Sequence, residues 1–229
     1  MTQNTPSSKT NSNGHAPKVN PWTGIWTRTG AALEFVIRYR LEDWIHRLFM
    51  GTAIMLLLAI RLPGWLAETP HPIGVMIQVL LVAPIFGIGL GYIYSAVVRN
   101  IGYRFKVEVD SRIMRATVAW THLPFLVAWL VFLLSYGILS GLQGPEMAGK
   151  IWLFQGAMGW IPVIAGGLIF LWGVYIRWRA YAFLFRISMA KAAAIWGISF
   201  LISFAPTIAL STTYYVIFRT TVGNAMGAG

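Results

Sequence analysis

Cysteine is absent from this chain of 229 residues, and charged residues make up only 11% of it. The lack of cysteine excludes disulfides, thiol catalysis and cysteine-ligated metal sites. Acidic residues are the scarcer charge, with 7 Asp and Glu against 18 Lys and Arg. Three runs, 73–98, 116–144 and 151–176, contain no charged residue at all. Because about 20 apolar residues in a helix span the hydrocarbon layer, each run is long enough to cross a bilayer.

Two further apolar segments, 48–60 and 192–218, flank these runs. The first is short, but its aromatic and polar neighbours can extend it through the membrane interface. With 57% hydrophobic residues and 11 Trp, the chain has more apolar surface than a soluble domain of this length can bury. We therefore expect an all-α fold, a polytopic membrane helix bundle with five transmembrane helices preceded by a short amphipathic interfacial helix. The expected regions are a disordered cytoplasmic tail at 1–19, an amphipathic interfacial segment at 20–47, the transmembrane domain at 48–218 and a short extracytoplasmic tail at 219–229.

The basic residues are distributed unevenly between the two sides of this bundle. Only Arg61, Lys150 and Arg219 fall on one side, and the other Lys and Arg lie in the N-terminal segment and in the second and fourth loops. Because positively charged loops are retained in the cytoplasm, we expect a cytoplasmic N-terminus and an extracytoplasmic C-terminus. Cations close to anionic headgroups gain about 1 kcal/mol each. Such a surface accounts for the net charge of +11 without nucleic-acid binding.

The segment 20–47 begins with helix-start signals, since Asn20 is a good N-cap and Pro21 a good first-turn residue. At about 100° per residue, its large apolar side chains share one stripe and its charged side chains lie away from that stripe. The stripe contains Trp22, Ile25, Trp26, Leu33, Val36 and Ile37. We expect an interfacial helix on the cytoplasmic leaflet, broken in two at Gly30. The alternative is a helix packed onto the protein's own spans.

Patterns typical of catalysis or metal binding are missing from the sequence. Every Asp and Glu lies in a loop or juxtamembrane stretch, and the His residues are scattered without ligand spacing. There is no phosphate loop and no nucleophile elbow. The best polar candidates at membrane depth are Gln78, Gln155 and His122, and none is paired in sequence with a carboxylate. The sequence therefore predicts no enzyme, no cofactor and no metal site.

Two short motifs stand out, Asn-Pro-Trp-Thr-Gly-Ile-Trp-Thr-Arg at 20–28 and Arg-Ala-Thr-Val-Ala-Trp-Thr-His-Leu-Pro at 115–124, with Arg99 ending the second span between them. With the long hydrophobic region, they resemble bacterial members of the Yip family, membrane proteins related to eukaryotic Rab-GTPase-interacting proteins. The resemblance implies a non-enzymatic five-helix protein of the bacterial inner membrane with a role in membrane organisation or partner recruitment. The acidic-Leu-Tyr-Gly-Pro signature of eukaryotic members is missing, which argues against Rab binding.

We expect the protein to act as an adaptor, assembly or membrane-organisation factor through its basic cytoplasmic face. The expected partners are anionic lipid headgroups and membrane or cytoplasmic proteins of unknown identity. The candidate contact residues are Trp22, Trp26, Arg99, Arg104, Lys106, Arg112, Arg115, Arg177 and Arg179. An alternative is a small-solute permease or channel subunit, because prolines in four spans and two Gln at depth could shape a cavity. A membrane enzyme is the third hypothesis and would need polar side chains converging at one depth.

Overall fold

The computed structural model describes residues 19–42, 44–68, 78–143 and 157–204, and these described parts form helices and no strand. A short π-helical turn at Gln78–Val82 runs directly into the fourth helix. The helices are α1 (Pro21–Thr27), α2 (Thr29–Tyr39), α3 (Ile45–Glu68), α4 (Ala83–Arg104), α5 (Ser111–Trp120), α6 (Leu123–Gln143), α7 (Ala157–Phe185) and α8 (Met189–Phe204). The expected tails, apart from Val19, lie outside the described residues.

Three stretches are long and apolar enough to cross a membrane, Ala83–Arg104, Ser111–Ser135 and Val163–Phe185. They support a helical membrane protein and so confirm the coarser part of the expected architecture. Two shorter apolar helices, Ile45–Leu58 and Met189–Phe204, correspond to the first and last of the five expected spans. The last expected span continues beyond the described residues, so five spans remain a prediction.

The start of the amphipathic segment agrees with its sequence signals. The Asn20 side chain accepts a hydrogen bond from the Trp22 backbone N–H at 3.0 Å, and Pro21 is the first residue of α1. The break between α1 and α2 comes at Arg28 and not at Gly30, which lies in the first turn of α2. Gly30 serves packing instead, because a Cβ placed there would be 3.1 Å from the Phe183 ring of α7.

The α4–α5 hairpin is closed by caps at both helix ends. Lys106 has a left-handed φ of 61°, and the Val107 N–H donates to the Gly102 carbonyl at 3.1 Å, which is the Schellman arrangement. Asp110 then caps α5, since its carboxylate accepts from the Arg112 backbone N–H at 2.7 Å. The turn therefore places a lysine in a conformation that glycine usually occupies.

The α7–α8 hairpin repeats the same design. Arg186 has a φ of 53°, and the Ile187 N–H donates to the Ala182 carbonyl at 3.2 Å. Ser188 then caps α8 through the Lys191 backbone N–H, with a donor–acceptor distance of 3.4 Å. Both hairpins thus carry a cation in left-handed backbone at the same end of the bundle.

The tightest packing lies at that end. Its core is formed by α1, α2 and α5, the starts of α3, α6 and α8, and the ends of α4 and α7, which together we call the cap. The core residues that are at most 1% exposed include Ile25, Ala32, Leu33, Val36, Val98, Met114, Val118, Trp120, Ile176, Tyr181 and Ile195. The α2 helix packs on both α5 and α7.

Beyond the cap, the outer faces of the helices are apolar. Large side chains that are 45–72% exposed include Leu80, Leu81, Ile85, Phe86, Leu90, Ile93, Leu134, Ile161, Ile164, Leu168, Leu171, Leu201 and Ile202, and we call them the apolar belt. The α4 helix continues from Ile93 to Arg104, which is about 16 Å at 1.5 Å per residue. The cap therefore projects past the belt.

Half of the stripe expected to lie on lipid is buried in the protein, whereas Trp22, Trp26 and Ile37 are only partly buried. Ile25, Leu33 and Val36 are 0–1% exposed and belong to the core of the cap. For these three residues the alternative of packing onto the protein's own helices is the one found, because α5 and α7 offer an apolar surface that water would otherwise contact.

Candidate functional site

The most conspicuous surface feature of the cap is a set of exposed cations, which we call the basic rim. They stand where α4 and α7 end and where α5 and α8 begin. The members are Arg104, Lys106, Arg112, Arg179, Arg186 and Lys191. Among the described residues, Arg112 is the one rim cation with a carboxylate within 4 Å, the 3.8 Å contact between its guanidinium and Glu42. The rim therefore presents positive charge that the described carboxylates hardly neutralise.

Four of the candidate contact residues belong to this rim, and Arg177 does not. Its side chain is only 6% exposed, so the sequence-based placement of Arg177 on a lipid-contacting surface does not match its position. The guanidinium lies 4.5 Å above the Phe125 ring and 5.7 Å from the Tyr94 ring. Its Nε donates to the Thr121 hydroxyl at 3.3 Å, and a terminal nitrogen donates to the Thr121 carbonyl at 3.4 Å.

These contacts compensate Arg177 without any carboxylate from the described part of the chain. Cation–π contacts and hydrogen bonds offset some of the desolvation that a buried guanidinium suffers. Tyr181, one turn further along α7, is completely buried and interacts electrostatically with both Arg177 and Tyr94. This arrangement ties α4, α5, α6 and α7 together through one positive charge.

The two remaining candidate arginines are half-buried against aromatic rings. The Arg99 guanidinium lies 5.6 Å from the Tyr103 ring, one turn along α4. The Arg115 guanidinium lies 4.9 Å from the Tyr92 ring, and the Tyr92 hydroxyl is 2.9 Å from Nε2 of His46. Arg115 therefore links α5 to α4 and α3, and its charge is only partly available to a partner.

The two candidate tryptophans belong to the packing of the cap. Trp22 makes edge contacts with Trp44 at 5.1 Å and with Trp120 at 5.0 Å between ring centroids. Trp26 is half-buried against the same core. Both keep some surface exposed, but their main contacts are with the protein.

His122 lies in the turn between α5 and α6. Its Nδ1 is 2.7 Å from the Val118 carbonyl and accordingly donates to it. The ring lies among those of Phe49, Tyr94 and Phe125, with centroid separations of 5.6–6.4 Å. No described carboxylate contacts it, and the described residues contain no group of three or more His, Asp or Glu that could hold a metal ion. Gln155 lies outside the described residues.

A cleft of about 410 Å³ opens where α2 connects to α3. Glu42, Trp44, His46 and Arg47 line it. Sequence reasoning did not single out this site, although a carboxylate, an aromatic ring and a cation directly before an apolar helix were a usable signal.

Comparison with family models, curated proteins and solved structures finds no match to this chain. The Yip resemblance therefore stays a prediction made from two short motifs. What the geometry defines is a helical bundle with an apolar belt and a compact, basic cap.

Proposed function

We propose that this protein is a non-enzymatic membrane adaptor or organising factor whose basic rim contacts anionic headgroups and acidic partner surfaces. The observation that carries this proposal is the position of the rim. Its six cations ring a packed cap that continues the helices directly beyond the apolar belt. A cation that reaches within a Debye length of the lipid phosphates, about 8 Å at physiological ionic strength, contributes about 1 kcal/mol.

In this proposal the cap faces the cytoplasm of a bacterial cell, with the N-terminus inside and the C-terminus outside. The charge distribution of the loops supports that orientation. Membership of the Yip family would agree with it but rests on the sequence resemblance alone.

Backbone conformation provides independent support for a role of the charges. Lys106 and Arg186 both adopt left-handed φ values, 61° and 53°. A residue with a Cβ loses about 1 kcal/mol or more in this region, and glycine would avoid the loss. A stability optimum would therefore place glycine at both positions, whereas the chain has a cation at each.

This contrast gives a test in which charge and stability change in opposite directions. The double variant Lys106→Gly, Arg186→Gly loses two rim charges and two strained positions. We expect its thermal unfolding temperature to rise. Its preference for phosphatidylglycerol over phosphatidylcholine, measured by native mass spectrometry of the detergent-solubilised protein, should fall about fivefold for each charge removed.

Arg38→Gln is the matched control, because Arg38 is already paired with Glu34 at 2.8 Å on the surface of α2. It removes one charge outside the rim and should change the lipid preference by less than twofold. An unchanged preference in the double variant would refute the role of the rim.

The permease or channel alternative remains a separate prediction. It requires solute flux in liposomes that is lost in Gln78→Leu, whereas the adaptor proposal expects no such flux.

A further inference from the structure

The cleft between α2 and α3 carries charges of both signs, unlike the basic rim. Among the described residues that line it, Glu42 and Arg47 carry the charges, and the others are Trp44 and His46. Its volume of about 410 Å³ falls within the range of about 300–1,000 Å³ that small-molecule sites occupy. A ligand suited to it would therefore be small and would carry both an anionic and a cationic group.

The depth of the cleft is fixed by contacts between α3 and α4. The Tyr92 hydroxyl lies 2.9 Å from Nε2 of His46, and the two rings stack with centroids 5.8 Å apart and planes 18° apart. The neighbouring Ile93 is 58% exposed and is the last member of the apolar belt on α4. The cleft thus opens at the height where the belt begins, which in a bilayer is the headgroup layer.

The cation of the cleft is held in position. The Arg47 guanidinium lies 4.7 Å above the Trp44 ring. Trp44 has a φ of 66°, a costly conformation for a bulky residue, and its ring is packed edge-on against Trp22 at 5.1 Å. A guanidinium fixed in this way presents planar donors that match phosphate oxygens.

The carboxylate of the cleft keeps its acceptor capacity. Its nearest cation is the Arg112 guanidinium at 3.8 Å, and both side chains are largely exposed, 73% for Glu42 and 65% for Arg112. At that distance the pair is attracted but makes no hydrogen bond. The Glu42 oxygens can therefore accept hydrogen bonds from another donor.

We propose that this cleft binds the phosphoethanolamine headgroup of a membrane phospholipid. Arg47 binds the phosphate, and Glu42 accepts hydrogen bonds from the primary ammonium. A choline headgroup has no N–H to donate, so Glu42 discriminates against it. The inference relies on the membrane-surface placement in the proposed function, but its two ligand-binding residues, Arg47 and Glu42, are not rim cations, and its lipid is a different one.

The experiment is lipid competition on the full chain in detergent, followed by native mass spectrometry. Phosphatidylethanolamine and phosphatidylcholine with identical acyl chains are offered in equal amounts. We expect the wild type to retain phosphatidylethanolamine about fivefold better, which corresponds to about 1 kcal/mol for the hydrogen bond that only the primary ammonium can donate. Glu42→Gln should reduce this preference, because a neutral amide oxygen accepts a hydrogen bond from an ammonium less strongly than a carboxylate does. Binding of phosphatidylglycerol should stay the same or strengthen, because a negative charge has been removed.

Glu34→Gln is the matched control, since it makes the same charge change on the exposed side of α2 outside the cleft lining. It should keep the fivefold preference. Arg47→Gln should weaken retention of both zwitterionic lipids at this site. The proposal fails if the wild type shows no preference, or if Glu42→Gln and Glu34→Gln behave alike.

Failure of the rim and failure of the cleft are distinguishable. Loss of the fivefold preference in the Lys106→Gly, Arg186→Gly variant would contradict the cleft assignment, because neither residue lines it. If that variant keeps its phosphatidylglycerol binding while the amine preference falls in Glu42→Gln, the rim proposal fails and the cleft assignment is supported.

Discussion

The close approach of α3 and α4 allows a sharp test of the packing between these two helices. A Cβ at Gly91 would lie 2.5 Å from Cγ of Phe49, and one at Gly87 would lie 2.7 Å from the Phe49 carbonyl oxygen and 2.5 Å from Cβ of Ala53. Real Cβ contacts are not this short. Cγ is the root of the Phe49 ring and the carbonyl is backbone, so neither can move aside without shifting α3.

Gly91→Ala and Gly87→Ala should therefore each destabilise the protein by about 1–3 kcal/mol, the usual cost of forcing extra atoms into a packed interface. In a chain of this size that lowers the unfolding temperature by about 2–4 °C per kcal/mol. Because both substitutions push against Phe49, the double variant should lose less than the sum of the two single losses.

Gly89 provides an internal control on the same helix. A Cβ there would meet no atom within 4 Å. Gly89→Ala should leave the unfolding temperature unchanged or raise it, since alanine favours the helix by about 0.5–1 kcal/mol. Thermal unfolding in detergent, followed by tryptophan fluorescence, measures all three. Equal stabilities for the variants at positions 87, 89 and 91 would refute the described contact between the helices.

Two further predictions concern the cap. Arg177→Met should unfold at the same or a higher temperature, because a buried ion is replaced by an apolar side chain of similar length. Arg177→Lys should unfold at a lower temperature, since an ammonium cannot both cover the Phe125 ring and reach Thr121. A stable lysine variant with an unstable methionine variant would overturn this reasoning. Asp110→Ala should lower the unfolding free energy by about 1 kcal/mol, because the N-cap of α5 is lost. Glu108→Ala is the control, since it removes a nearby carboxylate that does not cap α5. Equal effects of the two substitutions on the denaturant midpoint would contradict this prediction.

The helical class, the start of α1 and three apolar membrane-compatible helices could be predicted from the sequence, because each depends on local signals. A hydropathy pattern records apolar runs, and Asn20 with Pro21 marks a helix start wherever the helix then docks. The break at Arg28 could not be predicted in the same way. Gly30 suggested a weak point in the helix, but its lack of a side chain accommodates Phe183 from a helix more than 150 residues away in the sequence.

The placement of Arg177 shows a different kind of error. Hydropathy treats Arg177 and Arg179 alike, as the first cations after an uncharged run. On a helix, however, two residues that are two positions apart point about 200° away from each other, so both could not lie on one exposed face. Arg177 shares its face with Tyr181, four residues on, and that face is buried, while Arg179 is exposed. Helical geometry could have separated the two arginines, but which one faces inward depends on tertiary packing.

The cap and the belt depend on different forces, and this explains why the rim lies where it does. The side chains that are least exposed, such as Leu33 and Val118 at 0%, gather in the cap, where water on the outside drives apolar burial. In lipid that drive is missing, and helices must approach closely at small residues, as α4 does at Gly87 and Gly91. In the proposed membrane placement, the packed cap therefore lets the helix ends continue beyond the bilayer. In the proposed function, the rim cations on such a cap present a charged surface to headgroups and partners.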